Sequence, residues 1–189
     1  MSRWEPNARG RLERAALELY SERGFDQTTV AEIAQRAGLT ERTFFRHFRD
    51  KREVLFSGEG LLRDLLVRTV AGAADSASPI EAVAGGLTAA SIFFEGRTRE
   101  QVRQRQAVIA ACPGLQEREL INLSRLASGT ADALRQRGVA IPAASLVAEA
   151  GIVVFKVAIQ RWIDDTDNRR DLSQHIREAL GELKTLAGG

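Results

Sequence analysis

The chain of 189 residues has one cysteine and few prolines, lysines and aromatic residues. The lone Cys112 excludes an intramolecular disulfide and a cysteine-based zinc site, so we expect a reducing, cytoplasmic compartment. Only 4 prolines interrupt the chain, and this scarcity favours helix. Aromatic residues make up 6% and charged residues 28% of the sequence, which is typical of a soluble globular protein.

Long apolar runs and catalytic motifs are also missing. The apolar run at residues 151–155 ends at Lys156, far short of the roughly 20 residues needed to cross a bilayer. The first residues lack the apolar segment of a signal peptide, so we expect neither secretion nor a membrane partner. The two histidines, His47 and His175, lie in different regions and form no metal-binding motif. The sequence therefore predicts no enzyme, no metal and no cofactor.

The basic residues are unevenly distributed along the chain. The net charge of +2 does not by itself indicate a nucleic-acid partner. Residues 1–52, however, contain 11 Lys and Arg against 8 Asp and Glu, whereas residues 53–189 contain 16 against 17. The excess of base therefore lies in the N-terminal part of the chain.

Helical periodicity recurs along the whole sequence, and no stretch shows sustained strand alternation. We predict an all-α fold of about nine helices. A first helix covers 7–23, two short helices cover 29–37 and 40–48, and a long fourth helix begins at Asp50. The five further helices are predicted at 78–96, 97–111, 113–138, 142–165 and 171–187.

Residues 28–51 have the form of a helix-turn-helix, two short helices joined by a tight turn. Ala34 is small where the two helices must approach, and Gly38 supplies the backbone freedom of the turn. Leu39, Phe44 and Phe48 can hold the second helix against the first. The remaining face of the second helix is polar, basic and aromatic, and it is short enough to lie in a major groove. That face carries Glu41, Arg42, Thr43, Phe45, Arg46 and His47.

This segment resembles the DNA-binding domain of the TetR family of transcriptional regulators. The matching residues are Thr29, Ile33, Ala34, Ala37, Gly38, Leu39, Thr40, Thr43, Phe44, His47, Phe48 and Lys51. Phe45 departs from the family pattern, in which tyrosine is usual at this position. Its ring keeps apolar contact with a sugar or a thymine methyl group but lacks the hydroxyl that would bond a phosphate. The resemblance implies an N-terminal three-helix DNA-binding domain over 1–51 and a helical ligand-binding and dimerisation domain over 52–189.

The resemblance also implies roles for individual positions of the helix-turn-helix. Thr29 and Thr40 begin helices, whose N-termini favour phosphate. Thr43, His47 and Lys51 are the remaining expected phosphate contacts, which position the protein without reading sequence.

Three charged residues are the candidates for contact with base edges. They are Glu41, Arg42 and Arg46. Arginine can bond guanine O6 and N7 together, and Glu41 either accepts from cytosine or begins the helix. Together with Phe45, these residues form the predicted DNA-reading surface.

Apolar stripes on the last two helices agree with the implied dimerisation domain. One stripe on the helix near Pro142 comprises Val147, Gly151, Val154, Phe155, Ala158 and Trp162, and a second comprises Ala150, Val153 and Val157. The last helix carries Leu172, Ile176, Leu180 and Leu183. A helix that is apolar on two sides must bury both. We expect the two helices to pair with the same two helices of a second subunit, giving a homodimer. The alternative is that all stripes pack inside one subunit.

The helices spanning 53–138 are expected to surround a mostly apolar effector pocket. The candidate lining residues are Leu62, Leu66, Phe93, Phe94, Ile109 and Leu123, with Phe155 from a later helix. Gly85 and Gly86 indicate either a bend beside a cavity or close packing.

Residues 105–120 resemble actinobacterial TetR-type regulators of the mycofactocin-system type. This resemblance implies fatty-acyl thioesters among the candidate effectors, with the arginines of 97–105 or Arg118 meeting their phosphates. Lipophilic cations are the alternative class, bound by Glu59, Glu95 or Glu119.

These features predict a ligand-released repressor that binds a palindromic DNA operator as a homodimer. The long fourth helix would be the lever between the effector site and the DNA-binding domain. A ligand-independent regulator and an activator are the alternatives.

Overall fold

The computed structural model describes residues 7–167 and 170–188. All regular structure within these residues is helical, which confirms the predicted all-α fold. The helices are α1 (Ala8–Arg23), α2 (Val30–Arg36), α3 (Glu41–His47), α4 (Lys51–Phe56), α5 (Glu59–Ala71), α6 (Pro79–Ala90), the 3₁₀ helix η1 (Ser91–Phe94), α7 (Arg99–Ala110), α8 (Pro113–Gln136), α9 (Ile141–Asp164) and α10 (Leu172–Gly188).

The chain divides into two compact units that do not follow a single cut in the sequence. The first unit comprises Met1–Ser57 and Glu100–Glu119, and the second comprises Gly58–Arg99 and Leu120–Gly189. The segment Glu100–Glu119 joins the N-terminal residues because its apolar side chains enter their core. The assignment of separate functions to 1–51 and 52–189 stays a prediction.

The core of the first unit forms around α1. Leu12, Ala16 and Leu19 on one face of α1 are almost completely buried. They pack in one cluster with residues of α2, α3 and α4 and with Val108 and Ile109 of α7. Ile109 therefore belongs to this core, and its predicted place among effector-lining residues of the second unit is wrong.

The predicted long fourth helix is divided into α4 and α5. Ser57 has extended backbone, with φ −66° and ψ 132°. Gly58 has φ +91°, a left-handed conformation that favours glycine. The predicted continuous lever is therefore wrong, and the Ser57-Gly58 pair was the sequence signal for the break.

Close helix packing in the second unit depends on two glycines. A Cβ atom added at Gly86 of α6 would lie 2.6 Å from Leu66 Cδ1 and 3.2 Å from the Leu66 carbonyl oxygen on α5. A Cβ atom at Gly151 of α9 would lie 2.5 Å from Val83 Cγ1 on α6. Close packing, rather than a bend, accounts for Gly86.

Alanine substitutions at Gly85 and Gly86 are expected to have opposite effects on stability. A Cβ atom at Gly85 meets nothing within 4 Å, so Gly85→Ala gains about 0.5–1 kcal/mol from helix propensity. Gly86→Ala clashes with Leu66 and loses about 1–3 kcal/mol through overpacking. Urea denaturation of both variants measures the two changes. Equal changes of the same sign would contradict the close approach of α5 and α6.

By length and composition, α9 could cross a membrane. This finding corrects the expectation drawn from uninterrupted apolar runs alone, because an 18-residue span can include Lys156 and still be apolar. The finding is weak evidence for a membrane span, since core helices of soluble proteins share these properties. Here α9 buries Ala144, Ala148 and Phe155 within the second unit.

Candidate nucleic-acid interface

The start of α2 is fixed by the predicted capping box of Thr29 and Glu32. Thr29 Oγ1 accepts a hydrogen bond from the Glu32 backbone N–H at 3.2 Å, and the Thr29 backbone N–H donates to Glu32 Oε2 at 2.9 Å. This backbone hydrogen bond, with a second from the Thr29 hydroxyl, lowers the pKa of Glu32. Because the hydroxyl proton is directed to Glu32 Oε2 at 2.8 Å, a phosphate contact at Thr29 would compete with the cap.

A tight turn connects α2 to α3. Gly38 has φ +64°, which a residue with a Cβ atom adopts only under strain. The Leu39 backbone N–H donates to the Ala34 carbonyl at 2.8 Å, and an Arg11 guanidinium N–H donates to the Ala37 carbonyl. The turn is thus held by the backbone and by a side chain of α1.

Two aromatic rings anchor α3 in the core of the first unit. Phe44 is fully buried and Phe48 nearly so, and their ring centroids lie 5.4 Å apart. At the other end of the helix, Thr40 Oγ1 accepts from the Thr43 backbone N–H at 3.2 Å and lies 3.1 Å from Thr43 Oγ1. These contacts fix which face of α3 points outward.

The outward face of α3 is centred on two arginines. At about 100° per residue, Arg42 and Arg46 lie opposite the anchored side of the helix. Both are exposed, and among the described residues neither has an ion-pair partner. Glu41 is exposed beside them, and Phe45 is 55% exposed. The structure thus places the base-reading candidates Arg42 and Arg46 side by side, with the third candidate, Glu41, exposed at the start of the helix.

The opposite flank of this face carries Thr43 and His47, which are half-buried. His47 Nε2 is buried and has no hydrogen-bond partner among the described residues. The phosphate contact predicted for His47 therefore depends on Nδ1 or on rotation of the ring.

Lys51 has an internal structural role, which corrects its assignment as a phosphate contact. Its Nζ donates to the carbonyl oxygens of Phe25 at 2.9 Å, Thr28 at 2.8 Å and Asp26 at 3.2 Å. It also lies 4.5 Å from the centroid of the Phe25 ring. All three N–H donors of the ammonium group are used, so the side chain holds the loop between α1 and α2.

Tyr20 supports the same junction from α1. Its hydroxyl donates to the Lys51 carbonyl oxygen at 2.6 Å. Burial, and secondly the charge of Asp50, raises the pKa of Tyr20 well above its ordinary value. The hydroxyl therefore stays protonated and remains a donor to Lys51.

Replacing Lys51 by methionine is expected to destabilise the first unit rather than to remove a phosphate contact. The loss of hydrogen bonds from a charged group predicts a cost of about 1.5–3 kcal/mol in the free energy of unfolding. The exposed neighbour Arg52 provides a matched control, because Arg52→Met removes the same charge at a cost of at most about 0.5 kcal/mol. Thermal unfolding measures both variants. Equal stabilities of the two would contradict the internal role of Lys51.

Sequence reasoning missed the contribution of Glu100–Glu119 to this unit. Arg105 Nε donates to the Leu55 carbonyl oxygen at 2.7 Å, and its guanidinium pairs with Glu119 at 3.1 Å. Arg105 and Arg118 lie 5.4 Å and 5.2 Å from the centroid of the buried Phe56 ring. The sequence signal for this contribution was the apolar character of Val108, Ile109 and Leu115.

Two of the arginines expected to meet effector phosphates have partners inside their own units. Arg99 lies over the Trp162 ring at 5.4 Å and pairs with Asp165 at 3.8 Å in the second unit. Arg105, by contrast, is engaged within the first unit. A phosphate contact by these arginines stays a prediction.

Most of the predicted dimer contacts are buried inside one subunit. Gly151, Val154, Ala158 and Trp162 of α9 and Leu172, Ile176 and Leu180 of α10 are all buried, whereas Val147 and Leu183 are half-buried. The buried residues pack within the second unit, and their place in a subunit interface stays a prediction.

The second apolar stripe of α9 is the exposed one. Val153 and Val157 are 55% and 37% exposed, and Ala150 is half-buried. Leu146, which was not part of the predicted stripe, extends it and is 71% exposed. Periodicity identified both stripes but not which of them faces outward.

The remaining predicted effector-lining residues lie in the second unit. Leu66 and Phe155 are buried in its core, and Leu62, Phe93 and Leu123 are half-buried. The Phe94 ring contacts the rings of Phe155 and Trp162, each at 6.0 Å between centroids. An effector site beside these residues stays a prediction.

Comparison with known proteins agrees with the geometry of the helix-turn-helix. Residues 13–57 match the family of bacterial regulatory proteins described as the tetR family. The HTH-type transcriptional regulator TcmR of Streptomyces glaucescens is 33% identical over 81 residues, which cover 43% of this chain and 36% of TcmR. The match thus spans about a third of the length of that relative.

Solved structures share the fold over almost the whole chain. The SmeT–triclosan complex superimposes with a TM-score of 0.66 at 21% identity, covering 96% of this chain and 90% of SmeT. FadR from Bacillus subtilis in complex with stearoyl-CoA gives a TM-score of 0.59 at 17% identity, covering 91% of this chain and 95% of FadR.

The described residues thus form an all-helical fold with an N-terminal helix-turn-helix whose α3 face is exposed. Residues 13–57 match the tetR family of bacterial regulatory proteins, and the fold of the chain is similar to that of the solved regulators over almost its whole length.

Proposed function

We propose that this protein binds a palindromic DNA operator as a homodimer and represses transcription until an effector releases it. The observation that carries the proposal is the outward face of α3. There Arg42 and Arg46 are exposed and have no ion-pair partner within 7–167 and 170–188, while Phe44 and Phe48 hold the helix in place. A rigid short helix with exposed arginines is suited to enter the major groove. A cytoplasmic location is part of the same proposal.

The proposed contacts divide into reading and positioning groups. Arg42 and Arg46 bond guanine edges, and Glu41 accepts from cytosine or only begins the helix. Thr40 and Thr43, at the start of α3, lie where backbone N–H groups and hydroxyls can meet phosphate.

The exposed stripe of α9 supports the dimer. Leu146, Val153 and Val157 present apolar surface that a two-fold related copy of α9 would cover. Such a dimer carries two copies of α3. On a palindromic operator, the two helices enter half-sites about 34–36 Å apart.

The effector is proposed to be a mostly apolar small molecule bound in the second unit. Two proteins of similar fold were solved with triclosan and with stearoyl-CoA. The aromatic cluster of Phe94, Phe155 and Trp162 is the place in the second unit to which we assign this molecule. A ligand that prefers the DNA-incompetent state of the dimer shifts the population toward it and releases the operator.

Selection from random DNA duplexes, followed by fluorescence anisotropy, tests this function. We expect an inverted repeat to be enriched and to bind a dimer, and stearoyl-CoA or triclosan to weaken that binding. Enrichment without release by either compound would keep the DNA-binding role and reject these effectors. Failure to enrich any duplex would overturn the proposed function itself.

A further inference from the structure

The inward side of α8 carries a polar side chain whose donor is buried and unpaired. Asn122 is half-buried, and its amide Nδ2 is buried and has no hydrogen-bond partner within the part of the chain that the structure describes. From Leu123 onward, the buried and half-buried positions of α8 are apolar or glycine except for Thr130, whose hydroxyl donates to the Leu126 carbonyl oxygen at 2.8 Å. A donor removed from water and left unpaired costs free energy, so the Asn122 amide calls for an explanation.

His175 shows how such an atom can be explained by its surroundings. Among the described residues of the second unit, His175 Nδ1 is the one other side-chain atom that is buried and unpaired. The ring nitrogens of His175 lie 3.2 Å from Asp165 Oδ2 and 3.8 Å from Glu178 Oε2, so the imidazole stands between two carboxylates of its own unit. The Asn122 amide has no corresponding neighbour among the described residues.

Helical geometry directs Asn122 toward α5. Asn122 precedes Gly129 by about two turns, so both lie on the same side of α8, and a Cβ atom at Gly129 would lie 3.1 Å from Val67 Cγ2 on α5. Just after α8, Arg137 donates to the carbonyl oxygen of Ala73, just after α5. The two helices therefore run in the same direction. Asn122, about 10 Å before Gly129 along the axis of α8, faces the first turns of α5.

The aromatic cluster of Phe94, Phe155 and Trp162 lies toward the same end of the second unit. After a short loop, α6 returns antiparallel to α5, with Gly86 packed on Leu66. The helix η1 continues beyond α6 and is therefore also beside the first turns of α5. Phe94 is the last residue of η1, and its ring contacts the other two rings. The unpaired amide and the aromatic cluster thus belong to one end of one unit.

The chemistry of this end favours a neutral acceptor. The amide group of asparagine supplies N–H donors, which pair with an oxygen or nitrogen acceptor. A buried carboxylate or phosphate would also need a cation, but the buried and half-buried positions of α8 from Asn122 onward include neither lysine nor arginine. On α5, Arg63 is exposed and pairs with Asp64 at 3.4 Å. A carbonyl oxygen satisfies the donor without the cost of burying a charge.

We infer that Asn122 donates its amide N–H to a carbonyl oxygen of the effector, whose apolar part contacts the aromatic cluster. The inference rests on the proposed function, and it narrows the effector from a mostly apolar molecule to an apolar molecule with a neutral carbonyl group, such as a ketone or an ester. Asn122 is then the residue that selects a carbonyl compound over a hydrocarbon of the same shape.

Pairs of compounds that differ only by a carbonyl group in place of a methylene group test this inference. Benzophenone is compared with diphenylmethane, fluorenone with fluorene, and 4-phenylbutan-2-one with butylbenzene, each by equilibrium dialysis against the full chain. In at least one pair, we expect the wild type to bind the ketone about fivefold to 150-fold more tightly, because the hydrocarbon leaves a buried donor unpaired. Asn122→Leu and Asn122→Ala should lose this preference.

Thr130→Val is the matched control on the inward side of α8. It also replaces a polar side chain by an apolar one, but the hydroxyl that it removes already donates to the Leu126 carbonyl oxygen. We expect Thr130→Val to keep the wild-type preference for ketones. The two Asn122 variants differ in size, so the same result from leucine and from alanine shows that the loss does not come from a blocked site.

The inference is overturned if the wild type prefers the ketone in none of the pairs or binds no ketone, or if both Asn122 variants keep the preference. Lower melting temperatures of both variants would show that the amide is bonded inside the fold, and would overturn it as well. Without any compound, both variants should bind the enriched duplex as the wild type does. These outcomes therefore leave DNA binding intact, whereas failure to enrich any duplex contradicts the proposed function itself.

Discussion

Replacing Arg42 or Arg46 by alanine is expected to weaken operator binding and to relax base preference at one position of each half-site. Each arginine is exposed on α3 and has no ion-pair partner among the described residues, so its removal disturbs no internal contact. A bidentate contact with guanine contributes about 1–3 kcal/mol of discrimination, which corresponds to about fivefold to 150-fold for each half-site. Anisotropy titrations on the enriched duplex measure the loss of operator affinity. The same titrations on duplexes with each guanine replaced measure the loss of base preference.

Arg125→Ala provides the control for this experiment. Arg125 is an exposed arginine of α8 in the second unit, and its removal changes net charge by the same amount. We expect it to leave base preference unchanged. If Arg42→Ala and Arg46→Ala weaken binding without changing base preference, the arginines contact phosphate instead, and the reading role of α3 is contradicted.

Val153→Glu is expected to convert the dimer into monomers. Val153 lies in the centre of the exposed α9 stripe, so two glutamates would be desolvated close to one another across a two-fold interface. In the dimer, the second subunit binds its half-site while it is held next to the DNA by the first. A monomer loses this advantage, so operator affinity should fall about a hundredfold or more. Sedimentation velocity measures the oligomeric state, and anisotropy measures the affinity.

Leu61→Glu is the matched control for Val153→Glu. Leu61 of α5 is 65% exposed in the same unit, and the substitution introduces the same charge on an apolar surface residue. We expect this variant to remain dimeric. A dimeric Val153→Glu protein, or a monomer with full operator affinity, would reject the proposed role of the α9 stripe.

Local signals predicted the helix-turn-helix well. The capping box of Thr29 and Glu32, the turn at Gly38 and the cap at Thr40 are each present in the structure. Each of them depends on residues within a few positions of one another, so the sequence alone contains the information. The buried anchors Phe44 and Phe48 follow from the same short segment.

Contacts between distant segments could not be predicted in this way. Periodicity showed that α9 is apolar on two sides, but the inward side is decided by packing such as that of Gly151 against Val83. Ile109 enters the core of the first unit, and the Lys51 ammonium group donates to the carbonyl oxygen of Phe25. Both contacts join residues that are far apart in the sequence. A motif match gave Lys51 a role in DNA binding, whereas its three carbonyl partners became visible only in the folded chain.

Dimethyl sulfate protection of the enriched duplex tests the central claim most directly. This reagent methylates guanine N7 in the major groove and adenine N3 in the minor groove. We expect the protein to protect two clusters of guanine N7, about 10–10.5 base pairs apart between centres, and Arg42→Ala or Arg46→Ala to lose protection at particular guanines. Protection of adenine N3 alone, or of guanines that neither variant alters, would contradict the reading of the major groove by α3.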